Sequence, residues 1–160
     1  MGRLIPITPE SVAKHVQGLL GANVTVKKLP VQELKGPLVF GSIQDESGVL
    51  VCTIVADIAA AGNMGAALSR VPAGAVQDLV RKGALLDEDL LGNYHEVVNV
   101  LTVLTTAALG KRTLLSALSQ SKTEPPADVQ SLIKDAKTKL FLQLAVQGYT
   151  SGGVNLYLAS

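Results

Sequence analysis

The chain contains no tryptophan, a single cysteine and only 3% aromatic residues. With Cys52 alone, an internal disulfide and a cysteine-based zinc site are excluded. The scarcity of aromatics argues against base-stacking platforms and aromatic ligand cages. Neither sign of charge dominates: 14 Lys and Arg face 13 Asp and Glu, a net charge of +1. Dedicated nucleic-acid binders carry a basic excess, so no nucleic-acid partner is expected. Long apolar runs are missing too. The longest, from Val49 to Ile58, is interrupted by Thr53 and Asp57, whereas a bilayer span needs about 20 apolar residues. The first residues, Met1 to Pro6, show no extended apolar stretch of the targeting kind. The expectation is a cytoplasmic protein with no membrane partner.

What remains is apolar and compactly patterned. Hydrophobic residues make up 48% of the 160 and charged residues 17%, which suits one folded domain rather than a disordered chain. Thr8-Pro9 reads as a helix start, with Val12, Val16, Leu19 and Leu20 at helical spacing and Gly21 as the stop. Asn23 to Leu29 reads as a strand. Pro37 to Gln44, the turn Asp45 to Gly48, and Val49 to Val55 read as a hairpin. Its second arm is apolar on both faces, which places it centrally in a sheet. Asp57 then caps a helix from Ile58 to about Arg70, crowded with Ala59, Ala60, Ala61, Gly62, Gly65, Ala66 and Ala67. A short helix, Ala75 to Lys82, precedes the longest one, which opens at Leu86 to Asp89 and ends near Gly110. Leu114 to Leu118 reads as a strand and Asp128 to Lys137 as a short helix. Lys139 to Gln147, a turn from Gly148 to Gly153, and Val154 to Leu158 form a closing hairpin. The expected fold is α+β, a largely antiparallel sheet of about six strands with two main helices packed side by side on one face.

The long helix carries the most pointed pattern. At about 100° per residue, Leu90, Leu91, Tyr94, Val97, Val98, Leu101, Leu104, Thr105 and Ala108 share one broad arc, the core face. Glu96 and Asn99, at i and i+3, stand together on the opposite arc. Val100, Val103 and Ala107 surround them. Glu and Asn on a solvated helix face need no function by themselves. Two features oppose that reading. Asn inside a helix costs roughly 0.5 kcal/mol against Ala. And the surround is apolar where an idle face carries Lys and Glu, as a docking surface is.

With this pair in its context, the sequence resembles the CheC/CheX family of chemotaxis phosphatases, whose fold is shared with the FliM/FliN switch proteins. The motif is E-x-x-N, here Glu96-Val97-Val98-Asn99. The context is the leading helix ending Leu19-Leu20-Gly21, the hairpin Val39-Phe40-Gly41-Ser42-Ile43 and Gly48-Val49-Leu50-Val51, the small-residue helix with Ala66-Ala67-Leu68, and the hairpin from Phe141 to Leu158. The resemblance implies a phosphatase of a phosphorylated, CheY-like response regulator. It implies that Asn99 positions the attacking water at the partner's aspartyl phosphate and that Glu96 docks the regulator by pairing with its lysine. A carboxamide donates and accepts hydrogen bonds without titrating, and a carboxylate supplies a charge-assisted contact. The receiver brings its own Mg²⁺, so no cofactor is expected on this chain. Gly92, Val100 and Val103 border the pair as partner-docking positions. Gly92 stands where the family often has Asp or Ser, and Val103 and Leu104 stand where it often has Gly and Asn. A single E-x-x-N is the CheX-like arrangement, which implies a homodimer. Gly92 and the bulk of Val103 favour an alternative, a non-catalytic docking or scaffold protein of the same fold that binds a receiver or a flagellar-type partner, whereas the intact Glu96 and Asn99 pair favours the enzyme.

Other candidates read as structural. Cys52 lies in an apolar strand without a neighbouring His, so it is a packed thiol. His95 points about 100° away from Glu96, His15 is distant, and no third ligand is spaced for a metal, so no metal site is expected. Gly62-Asn63-Met64-Gly65 lacks phosphate-loop spacing and reads as close helix packing.

Overall fold

A computed structural model describes residues 3–160. The helix α1 (Pro9–Leu20) opens with a capping box. The Thr8 hydroxyl accepts the Ser11 amide at 3.1 Å, and the Ser11 hydroxyl accepts the Thr8 amide at 2.9 Å. Gly21, at φ +67°, ends it in the left-handed conformation that lacks a Cβ penalty. Strand β1 (Val24–Leu29) follows, then the hairpin of β2 (Leu38–Asp45) and β3 (Leu50–Asp57). The Asp45 carboxylate closes the hairpin turn by accepting the Ser47 and Val49 amides at 2.9 and 3.1 Å. Helix α2 (Ile58–Leu68) starts on the Asp57 cap, and α3 (Ala73–Lys82) and the long α4 (Glu88–Leu109) complete the helical middle of the chain. Strand β4 (Thr113–Ser121), the short α5 (Ala127–Asp135), and the hairpin of β5 (Thr138–Val146) and β6 (Ser151–Leu158) follow.

The six strands form one sheet in the order β1-β5-β6-β3-β2-β4, and all five pairings are antiparallel. The order is unchanged when β1–β3 are exchanged with β4–β6. Each edge strand pairs not with its own half but with the hairpin of the other: β1 with β5, and β4 with β2. Strand β3 sits between β6 and β2, as its two-sided apolarity requires.

Alternate residues of the central strands face two separate cores. Val39, Ile43, Cys52, Ile54 and Ala56 meet α1, α2 and α4 in the larger one. Phe40 and Val55 meet Val129 of α5 in the smaller one on the opposite face. The sequence-based expectation of two helices on one face is therefore incomplete. Helix α1 joins α2 and α4 through Val12 and Val16, while α5 covers the second face. Asn155 of β6 helps close that face. It is buried, accepts from Gln32 Nε2 at 2.8 Å and donates to the Gln32 carbonyl at 3.1 Å, so it pins the segment between β1 and β2 across the sheet.

Several boundaries differ from the sequence reading, three of them for a visible reason. Helix α2 stops at Leu68, not near Arg70, because Arg70 takes a left-handed backbone at φ +57°. Strand β4 runs well past Leu118, since it pairs with β2 along its whole length. Strand β6 begins at Ser151, so Gly152 and Gly153 lie inside the strand rather than in the turn. They are glycines for space: a Cβ on Gly152 would lie 2.2 Å from the backbone nitrogen of Ala60.

Candidate functional site

Helix α4 is built to be held firmly and shown on one side. Asp87 caps its start, accepting the Leu90 amide at 2.9 Å, and Glu88 and Asp89 in the first turn complement the helix dipole. Gly110, at φ +70°, ends it. Leu90, Tyr94, Val97, Val98, Leu101, Leu104 and Thr105 are buried, matching the core arc read from the 3.6-residue period.

Polar contacts fasten α4 to β4 at both ends. At the start, the Gln120 carboxamide accepts from the Leu86 amide and donates to the Leu86 carbonyl, both at 2.9 Å. Past the last turn, the Thr113 hydroxyl bonds the hydroxyls of Thr105 and Thr106 at 2.6 and 2.9 Å. Between these ends, α4 lies tightly against α2. A Cβ on Gly65 would lie 2.6 Å from the Leu90 carbonyl oxygen, and α3 packs as closely on α2, since a Cβ on Gly62 would lie 2.8 Å from the Val76 side chain. Asn93 bridges the two helices by donating to the Gly65 carbonyl at 2.9 Å and the Ser69 hydroxyl at 2.7 Å. The small-residue run in α2 thus serves close packing.

On the free side stand Glu96 and Asn99, both exposed. The Asn99 carbonyl accepts the Thr102 hydroxyl at 2.6 Å, but no hydrogen bond among the described residues uses the Asn99 carboxamide or the Glu96 carboxylate. The ion pairs among the described residues join Asp78 to Arg81 and Lys82, and Asp45 to Lys111. Among the described residues Glu88, Asp89 and Glu96 have no ion-pair partner. No Lys or Arg occurs between Lys82 and Lys111 in the sequence, so the exposed face of α4 carries neither, and its basic group is the exposed His95. Val100 is half-buried and Val103 is 58% exposed. Gly92 is exposed, and a Cβ there would meet nothing within 4 Å. Glu96, Asn99, Gly92, Val100 and Val103 therefore come together on one solvent-facing strip.

The structural candidates fall elsewhere. Cys52 is fully buried, and burial pushes its thiol up to about 12. His95 is exposed on α4. Among the described residues no group of three or more His, Cys, Asp or Glu is placed to hold a metal, and no helix is long and apolar enough to cross a membrane. Beneath the strip, Tyr94 is buried with its hydroxyl unpartnered, and burial together with the nearby Asp57 carboxylate raises its pKa. Sequence reasoning did not find Gln120, Thr113 or Asn93. Their work is done across elements, and nothing in local spacing signals it.

Neither a family model nor a curated protein sequence matches the chain. Solved structures do. The chain superposes on the FliM of a FliM-SpeE complex from H. pylori with a TM-score of 0.65 at 10% identity, over 94% of this chain and 80% of that one. The CheX-CheY-BeF3-Mg²⁺ complex from Borrelia burgdorferi gives 0.63 at 16%, over 99% and 100%. FliY from Thermotoga maritima gives 0.56 at 13%, over 98% and 93%. At these identities the likeness is one of fold, and the fold of this chain is that of CheX and FliM.

Proposed function

We propose that this chain binds a phosphorylated CheY-like response regulator through α4 and hydrolyses its aspartyl phosphate. The observation that carries the reading is the exposed, unpaired Glu96 and Asn99 one turn apart on a helix face without Lys or Arg. The two lie about 4.5 Å apart along the helix axis, near enough to serve one partner site. The likeness to CheX, seen elsewhere in complex with CheY, supports the choice of partner.

The chemistry needs little from the helper. An acyl phosphate is already reactive, and the receiver supplies the Mg²⁺ that neutralises its oxygens. The Asn99 carboxamide oxygen accepts a hydrogen bond from one water and holds the water oxygen in line with phosphorus. The water oxygen bonds to phosphorus, and the phosphorus–carboxylate bond breaks. The aspartate carboxylate departs, and the water's protons pass to the phosphate and to solvent. Glu96 pairs with a lysine of the receiver and orients it. Gly92, Val100 and Val103 form the contact rim. This chain needs no cofactor of its own for that step. A cytoplasmic setting and a homodimer belong to the same proposal.

The exposed Val103 beside Asn99 favours a second reading, a scaffold of the same fold that binds a receiver or a flagellar-type partner without turnover. The lifetime of aspartyl phosphate on CheY-like receivers from the same organism separates the two. A lifetime shortened by the native protein and restored by Asn99→Ala is the expected result. Binding without any change in lifetime would establish the scaffold instead.

A further inference from the structure

The apolar part of the α4 face does not stop at the helix. Residues 3–7 run as a strap beside its last turns. The Ile5 amide donates to the Ala107 carbonyl at 3.1 Å, one of the terminal carbonyls that a helix leaves without an internal partner. Leu4 lies against Gly110, where a Cβ would come within 2.5 Å of its Cδ2. Held this way, Leu4 and Ile5 remain 57% and 61% exposed. Ala107 is about 6 Å beyond Val103 and about 12 Å beyond Asn99 along the axis, at 1.5 Å per residue. Ile5, an exposed large apolar side chain like Val103, is therefore held at the same end of α4, while Leu4 beside it lines a pocket with Ala108, Leu109, Lys28 and Lys139.

The other end is acidic. Glu88, Asp89 and Glu96 are exposed and have no ion-pair partner among the described residues, and no Lys or Arg lies among them. The strip runs from negative to apolar, and its complement runs from basic to apolar. An interface of ordinary size covers about 800 Å² on each partner, a patch roughly 30 Å across. The Glu96–Asn99 turn fills only a small part of that. A footprint centred between Asn99 and Val103 reaches the strap.

We infer that Ile5, supported by Leu4, is the far anchor of the regulator-docking surface. The partner it fits is a receiver that sets a cation against Glu96 and an apolar patch against Val103, Ala107 and Ile5. The inference rests on the reading of α4 as the regulator-docking helix. It adds a specificity element outside the Glu–Asn pair, on a segment that precedes α1 in the chain.

The test titrates CheY-like receivers, each activated with beryllium fluoride and Mg²⁺, against the native protein and three variants. Ile5→Asp is expected to raise Kd at least tenfold, and Ile5→Gln, which adds no charge, at least threefold. Val31→Asp alters an exposed apolar residue beside Phe40 and Val55, on the opposite side of the sheet, and is expected to change Kd less than twofold. Thermal unfolding of each variant establishes that it is folded. Native affinity in both folded Ile5 variants, or an equal loss in Val31→Asp, would overturn the role of the strap and leave the α4 reading standing. A native protein that binds no activated receiver would overturn both.

Discussion

Gly65 of α2 and Leu90 of α4 meet backbone to backbone, with room for no side-chain atom between them: the missing Cβ would lie 2.6 Å from the Leu90 carbonyl oxygen. The obstructing atom belongs to a helix fixed to β4 at both ends, so it has little freedom to retreat. Gly65→Ala is expected to destabilise the protein by about 1–3 kcal/mol, as overpacking does. A fall of several degrees in Tm would show it, and an unchanged Tm would mean that the two helices slide apart freely.

Gly92 predicts the opposite sign. It lies inside the same helix, at an ordinary helical φ, with open space where a Cβ would be. Gly92→Ala is expected to stabilise by about 0.5–1 kcal/mol through backbone entropy alone. Denaturant unfolding of the pair Gly65→Ala and Gly92→Ala puts the two effects on one scale.

Glu96 and Asn99 are expected to separate in kinetics. Asn99→Ala removes water positioning and should lower the dephosphorylation rate at saturating regulator by about 100-fold, the scale of a lost orientation effect. Glu96→Gln removes a charge-assisted contact worth about 1.5–3 kcal/mol and should act mainly on regulator affinity. Titrations paired with phosphate-lifetime measurements distinguish the two, and identical profiles for both variants would count against separate roles.

Gln120 ties the entrance of α4 to β4 by two bonds to Leu86. Gln120→Ala leaves a partly buried amide and carbonyl unpaired and is expected to cost about 1–3 kcal/mol. Hydrogen exchange at the Leu86 amide should accelerate more than at the amides of the last α4 turn, which Thr113 still secures.

Acid should expose the Asp45 turn. The Ser47 hydroxyl, then the Val49 amide, and less strongly Lys111, hold the Asp45 carboxyl at about 2, below its ordinary 3.8. A depressed carboxyl contributes stability that is complete above its unfolded pKa and is lost as pH falls through its folded one. Asp57 works in the reverse direction. Burial raises its pKa, so the folded state holds that proton more tightly and this group alone favours folding as pH drops. Comparison with Asp45→Asn isolates the turn. The Tm advantage of the native protein over Asp45→Asn is expected to vanish between pH 3.8 and about 2, and a constant advantage across that range would contradict the assignment.

The parts of the fold that were legible in the sequence are those ruled by local periodicity. The buried arc of α4 follows from a 3.6-residue repeat that tertiary packing did not override. The central position of β3 follows from a run with no polar face. The exposure of Glu96 and Asn99 follows from the same helical phase. What stayed hidden depends on partners far away in the chain. Gly152 and Gly153 look like turn residues, and only the Ala60 backbone over the first and the Leu34 and Gln32 side chains over the second show why they sit in a strand. Asn155 looks like a polar residue at a strand's surface, and its bonds to Gln32 and the Tyr157 hydroxyl make its burial tolerable. The strap escaped notice because Leu4 and Ile5 form no periodic element at all. Their place is set by one carbonyl at the end of α4.

The exchange of edge strands between the two halves of the sheet has a consequence for how the chain comes together. Val24 pairs with Val146, so β1 stays unsupported until almost the whole chain has been synthesised. A fragment ending after α3 would hold the β2–β3 hairpin but neither of its sheet neighbours, and the remaining fragment would lack a partner for β4. Pairings this distant close slowly. The protein is therefore suited to a split-reporter design: cut between α3 and α4, neither piece is complete, and the sheet forms only when both are present.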